Sequence, residues 1–240
     1  MPTVRTGLIV QIILLAGLTG TVGLGIAGWL AGLAYGAVLC TLLARGLRRS
    51  GAGGLGPADR VTLTRAILVG GVVALTVDPY PPGRALVALA AVALVLDAVD
   101  GQVARRTGTV TPLGARFDME VDAFLLLVLC VQVARPIGAW VLAIGLMRYA
   151  FAGAVRVVPW LRGTLPPRHW RKVVAATQGV ILVVATSGVL PRPVAATALA
   201  VALALLVESF ARDIGWLWLH RPASTAPVRA GPGRSARMPT

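Results

Sequence analysis

The 240-residue chain is 57% hydrophobic and only 13% charged, with a mean hydropathy of +0.80, a balance that excludes an ordinary soluble domain and implies a polytopic membrane protein. A formal net charge of +14 would suit a nucleic-acid partner, but the basic residues fall in short loops between apolar spans, so no nucleic acid is expected; the lipid bilayer and phosphate-bearing substrates account for them better. Cys40 and Cys130 lie in apolar runs without a spacing partner, so neither a disulfide nor a thiolate metal site is expected.

In chain order, the stretch from Thr6 to Ala44 is almost wholly apolar and about twice the ~20 residues that one span needs. Its glycine-rich middle at Gly17, Gly20 and Gly23 predicts a tight helical hairpin. One long tilted span is an alternative, and so is a signal peptide: Arg5 precedes the apolar run, although no small-x-small cleavage site follows. Gly28, Gly32 and Gly36 repeat on one helical face and permit close helix contact. The basic, glycine-rich linker Arg45 to Pro57 then marks a boundary. The expected organisation is a transmembrane hairpin with its linker over 1–50, a body over 51–220, and a Pro-, Ser-, Gly- and Arg-rich tail over 221–240 with no apolar periodicity, expected to be disordered.

The body is predicted to hold six helices: one from Asp59 to Val77, one over Leu86 to Arg106, one opening between Gly114 and Phe117 and running to Ala134, then Ile137 to Val158, Val173 to Leu190 and Val194 to Leu219. The fold class is therefore all-α, a polytopic transmembrane bundle of a six-helix body plus an N-terminal hairpin. Loop charges alternate in number. Arg45, Arg48, Arg49 and Arg60, then Arg105, Arg106 and Arg116, then Arg162, Arg168, Arg171 and Lys172, then Arg212 and Arg221 stand against lone Arg84, Arg135 and Arg192. By the positive-inside rule the richer side is cytoplasmic, in the cell membrane.

That side carries the acids. Asp97, Asp100, Asp118, Glu120 and Asp122 are five of the nine acidic residues in the chain. Asp97 and Asp100 share one helical face, as do Asp118 and Asp122, so four carboxylates can converge. Unpaired carboxylates at a membrane margin are costly and call for a cation. All-oxygen ligation suits Mg²⁺ or Mn²⁺ rather than zinc. Gly101, Gly108, Pro112 and Gly114 between the pairs supply a helix break and points where a ligand can approach the backbone.

These residues resemble the signature of the CDP-alcohol phosphatidyltransferases, D-x-x-D-G-x-x-A-R followed, about eight residues on, by G-x-x-x-D-x-x-x-D. Asp97, Asp100, Gly101, Ala104, Arg105, Gly114, Asp118 and Asp122 fill every defined position. Upstream, ADRVTLTR is similar to the family's N-x-x-T-x-x-R, with Thr62 and Arg65 matching and Asp59 where Asn is usual. Asp59 is either a partner of the nucleotide's amino group or a helix N-cap. The resemblance implies transfer of a substituted phosphate group from a CDP-alcohol, commonly CDP-diacylglycerol, to the hydroxyl of a polar acceptor with release of CMP. It implies two Mg²⁺ or Mn²⁺ ions, with Asp97, Asp100 and Asp118 as ligands and Asp122 as the base, also touching a metal. Asp59, Thr62, Arg65, Gly101, Ala104, Arg105 and Gly114 would then face the nucleotide and diphosphate. It implies a homodimer too, for which the Gly28, Gly32 and Gly36 stripe offers one surface.

Arg116, Arg148, Arg156 and Lys172 are the cations available to an acceptor, which is phosphorylated or not. Arg148 is expected deep in its span, where its charge needs an offset; Arg156 and Lys172 also fit plain anchoring at the membrane edge. Glu120 lies outside the signature, with Arg116 as its expected partner by spacing. An intramembrane prenyltransferase and an ion or proton transporter are the rival functions. The glycine and Ala-Arg positions argue against the first, and neither rival releases CMP.

Overall fold

The computed structural model describes residues 2–50, 56–78, 83–107, 111–163 and 169–220, so the tail 221–240 lies outside the described residues. Among them are eight α-helices and no strand: α1 Pro2–Val22, α2 Ile26–Ser50, α3 Pro57–Val77, α4 Gly83–Thr107, α5 Pro112–Ile137, α6 Leu142–Val157, α7 His169–Ser187 and α8 Arg192–Leu219. Apolar runs of this length fold as helices in lipid because each helix satisfies its own backbone groups. The fold is thus the expected all-α bundle, a hairpin followed by six helices. Four stretches, Ile26–Arg49, Asp59–Val77, Ala139–Val157 and Arg192–Leu219, are long and apolar enough to cross a membrane.

Prolines and glycines set the ends. Pro57 and Pro112 sit in the first turns of α3 and α5, where a missing N–H costs nothing. Gly23 takes φ +73° between α1 and α2, a left-handed conformation that glycine adopts without strain, and this makes the hairpin turn.

The centre of the bundle is α3, which packs against α1, α2, α4 and α5. Ala66, Val69, Val72, Ala74 and Leu75 on it are fully buried. The hairpin reaches α3 through its small residues: a Cβ on Gly28 would press on the Ala74 carbonyl oxygen, and one on Gly32 on Leu15 and Ala74. Gly36 lies against Gln11. The glycine stripe is therefore used within the chain, which corrects the expectation that it offers a surface to a second copy.

At the C-terminal end of α3, the Asp78 carboxylate accepts the Gly25 N–H at 2.7 Å, and Arg135 of α5 donates to the Thr76 carbonyl at 2.8 Å. Both bonds satisfy backbone groups that helix ends leave open. Near the opposite end of α3, Leu43, Leu63 and Ile67 pack with Leu47 and Phe117, bringing α2, α3 and the start of α5 together. The site lies at that second end.

Candidate metal and diphosphate site

Three helices deliver the site. Arg65 stands in the third turn of α3, Asp97 just past the middle of α4, and Asp118 and Asp122 one turn apart in the first half of α5. Antiparallel succession puts these three positions at one end of the bundle. One oxygen from each of Asp97, Asp118 and Asp122 can be chosen so that all lie within 4.8 Å of one another.

At their centre sits the Arg65 guanidinium, with no exposed side-chain surface. Its Nη1 donates to Asp97 Oδ1 at 2.6 Å, and its Nη2 donates to Asp118 Oδ1 at 2.6 Å and to Asp122 Oδ1 at 2.7 Å. A further bond reaches the Asp118 carbonyl oxygen at 3.3 Å. Charge-assisted bonds this short are strong, and removing the cation that bridges these three acids would cost about 3–5 kcal/mol as for a broken buried pair, less whatever water recovers. Water has access: the carboxylates of Asp97, Asp118 and Asp122 remain 41%, 34% and 38% exposed. The acids thus have a buried side, closed by Arg65, and an open side where a ligand can enter.

The first turn of α5 completes the wall. The Thr111 hydroxyl accepts the Gly114 N–H at 2.9 Å, which caps the helix. Buried Asp59 accepts the Gly56 N–H at 3.1 Å from the third position of α3, so it closes the first turn from within rather than as the N-cap, which is Gly56. A Cβ on Gly114 would collide with Asp59 Oδ1 and come within 2.9 Å of Thr111 Oγ1, so only glycine lets α3 and α5 meet there. Thr62 is buried one turn before Arg65 on the same face.

The remaining expected residues are placed less closely. Asp100, Gly101, Ala104 and Arg105 belong to the last turns of α4, and their side chains lie outside the described residues. Arg116 and Lys172 are exposed. Arg156, also exposed, donates to the Ala152 carbonyl of its own helix. Arg148 of α6 bonds Glu120 of α5 at 3.1 Å, the two side chains being 40% and 62% exposed. Glu120 therefore pairs with Arg148 and not with Arg116. Arg148 is thus partly exposed, in place of the deep position expected for it, and its partner is an acid that helical spacing pairs with Arg116.

The CDP-alcohol phosphatidyltransferase family model matches residues 57–208, from the first turn of α3 into α8. The chain belongs to this family. It is a transferase that moves a substituted phosphate group from a CDP-alcohol to an alcohol acceptor, in phospholipid biosynthesis. With four stretches able to span a bilayer, it is also an integral membrane protein. No curated protein and no solved structure matches the chain. The family uses a divalent metal, and the donor set fits one: three carboxylates on neighbouring helices turn oxygens toward one point and already accept a cation there. The α1–α2 hairpin precedes the matched residues and packs on α3.

Proposed function

We propose that the phosphatidyl group of CDP-diacylglycerol is transferred to a hydroxyl of a polar alcohol, phosphorylated or not, with release of CMP and with Mg²⁺ or Mn²⁺ as the metal. The observation that carries this reading is the meeting of Asp97, Asp118 and Asp122 around one point with an exposed side. Asp97, Asp100, Asp118 and Asp122 would hold two ions, which supply charge neutralisation to the diphosphate and to the departing CMP phosphate.

The acceptor oxygen attacks the phosphorus that bears the diacylglycerol, the bond from that phosphorus to the CMP oxygen breaks, and the acceptor proton passes to a carboxylate. Asp122 is assigned that proton, being exposed enough for an alcohol to reach it. Asp59, Thr62, Arg65, Gly101, Ala104, Arg105 and Gly114 are assigned to the nucleotide and diphosphate. Gly114 would serve that site indirectly, by letting α3 and α5 close on each other beside the acids. Arg116, Arg148, Arg156 and Lys172 are assigned to the acceptor. The alternation of loop charges supports an active site facing the cytoplasm, and a homodimer is part of the same proposal. Elution of purified protein at the mass of one copy would remove the dimer.

The decisive assay gives purified protein CDP-diacylglycerol and, in turn, glycerol phosphate, inositol phosphate, inositol, serine and phosphatidylglycerol. CMP and a new lipid are expected with one of these alcohols, and chelator abolishes both. Turnover in excess chelator removes the metal from the mechanism. Failure to release CMP from any CDP-alcohol removes the reading and leaves the prenyltransferase and the transporter.

A further inference from the structure

Among the described side chains of the site Arg65 is the fully buried cation, and the acids engage it. Its guanidinium takes one oxygen from each of Asp97, Asp118 and Asp122, the three residues whose oxygens are placed to hold a metal. Guanidinium and metal ion therefore draw on the same carboxylates. Among the described side chains, three carboxylates against one guanidinium leave two negative charges for a divalent ion to balance, but that ion meets a fixed positive charge at close range and one oxygen of each acid already in use.

We propose that Arg65 is a positioning residue that competes with the divalent ion for the acid cluster, so that tight ion binding waits for a nucleoside diphosphate to engage the guanidinium. This rests on the metal reading given above. A diphosphate changes the balance in two ways. It offers the planar guanidinium a bidentate partner, which returns carboxylate oxygens to the ion, and it adds negative charge that the ion can neutralise. Linkage makes the effect mutual: whatever the diphosphate adds to ion affinity, the ion adds to diphosphate affinity. The acids would then be held together and hydrated on one side before substrate arrives, without a tightly bound ion that product must later leave behind.

The test is Mn²⁺ binding by the full chain in detergent, followed by electron paramagnetic resonance, with and without cytidine diphosphate as a probe that cannot be transferred. The binding of Mn²⁺ to the nucleotide alone is subtracted. Wild type is expected to bind Mn²⁺ at least tenfold more tightly when the diphosphate is present. Arg65→Gln is expected to bind it at least tenfold more tightly than wild type without nucleotide, and to gain little more when nucleotide is added. Arg65→Lys places a compact ammonium where the fork reached three acids, so it should fall between the two. Equal or weaker Mn²⁺ binding by Arg65→Gln, or no nucleotide effect on wild type, overturns the competition while leaving the metal site standing. If Arg65→Gln does not fold, Arg65→Lys decides alone: tighter binding than wild type supports the proposal and equal or weaker binding overturns it. Absence of Mn²⁺ binding in wild type and both variants is a different failure, because it removes the metal reading together with this proposal.

Discussion

The two ends of α3 use charge in opposite ways. At the C-terminal end, Asp78 and Arg135 are bonded to the Gly25 N–H and the Thr76 carbonyl, backbone groups whose positions the fold dictates. At the N-terminal end, Arg65 is bonded to three side chains, each a third or more exposed. A charge tied to backbone has one partner it can keep, and its effect is on stability. A charge tied to half-exposed carboxylates can exchange that partner for a ligand. Between the ends, Val69, Val72 and Leu75 form a fully buried apolar stretch that separates the two roles.

One substitution made at both ends tests this contrast most strongly. Asp118→Asn keeps an oxygen for Arg65 but loses the charge a metal needs, so CMP release should fall by about 10²–10³-fold or more while the protein still elutes as a folded species. Asp97→Asn should behave alike. Asp78→Asn keeps a carbonyl oxygen for the Gly25 N–H and should leave transfer near wild type. If Asp78→Asn lowered turnover as much as Asp118→Asn, the division between the ends would be wrong.

Glycine replacements sharpen the comparison at smaller cost. Gly114→Ala drives a methyl into Asp59 Oδ1, and Gly70→Ala puts one 2.5 Å from the Gln11 amide nitrogen. Each should cost about 1–3 kcal/mol of overpacking, read as earlier thermal unfolding. Only Gly114→Ala should also lower turnover per folded molecule, because the displaced groups there border the acids.

Gln11 gives a change of opposite sign. It is almost wholly buried between α1, α2 and α3, and neither atom of its amide has a hydrogen-bond partner. A buried unsatisfied amide costs about 1–3 kcal/mol, so Gln11→Leu should raise the unfolding temperature with CMP release unchanged. Destabilisation instead would mean that the amide is satisfied in the membrane.

Much of this arrangement is legible in the sequence, and the rest is hidden for identifiable reasons. Apolar runs broken by glycine and proline mark the helices, and helical spacing brings Asp118 and Asp122 to one face. The start of α5 is less visible, because it is set by the Thr111 hydroxyl on the Gly114 N–H, a local bond that leaves no mark on the apolar pattern. The family resemblance places Arg65 at the nucleotide, and the structure bonds it to the acids. Its bonds to Asp97 and Asp122 span 32 and 57 residues, and which of several cations meets a given acid at that separation depends on helix packing. Glu120 shows the limit of local spacing. Arg116 stands one turn before it, yet its partner is Arg148, 28 residues on, since α6 packs along α5.

That last pair sets the smallest and most selective prediction. Both side chains are near the surface, so separating them should change stability by less than about 1 kcal/mol. The kinetic question is whether the Arg148 guanidinium leaves Glu120 for a phosphate on the acceptor. If it does, Arg148→Gln should raise the KM of the acceptor roughly fivefold, the equivalent of about 1 kcal/mol, with CDP-alcohol affinity unchanged. Glu120→Gln should do the reverse, because it removes the competitor for the same guanidinium, and the double variant should follow Arg148→Gln. A purely structural pair would instead move both single variants in one direction and both substrates together. Unchanged acceptor KM in Arg148→Gln would leave Arg148 as the partner of Glu120 alone, and the acceptor's cation would then be sought by the same measurement at Arg116, Arg156 and Lys172.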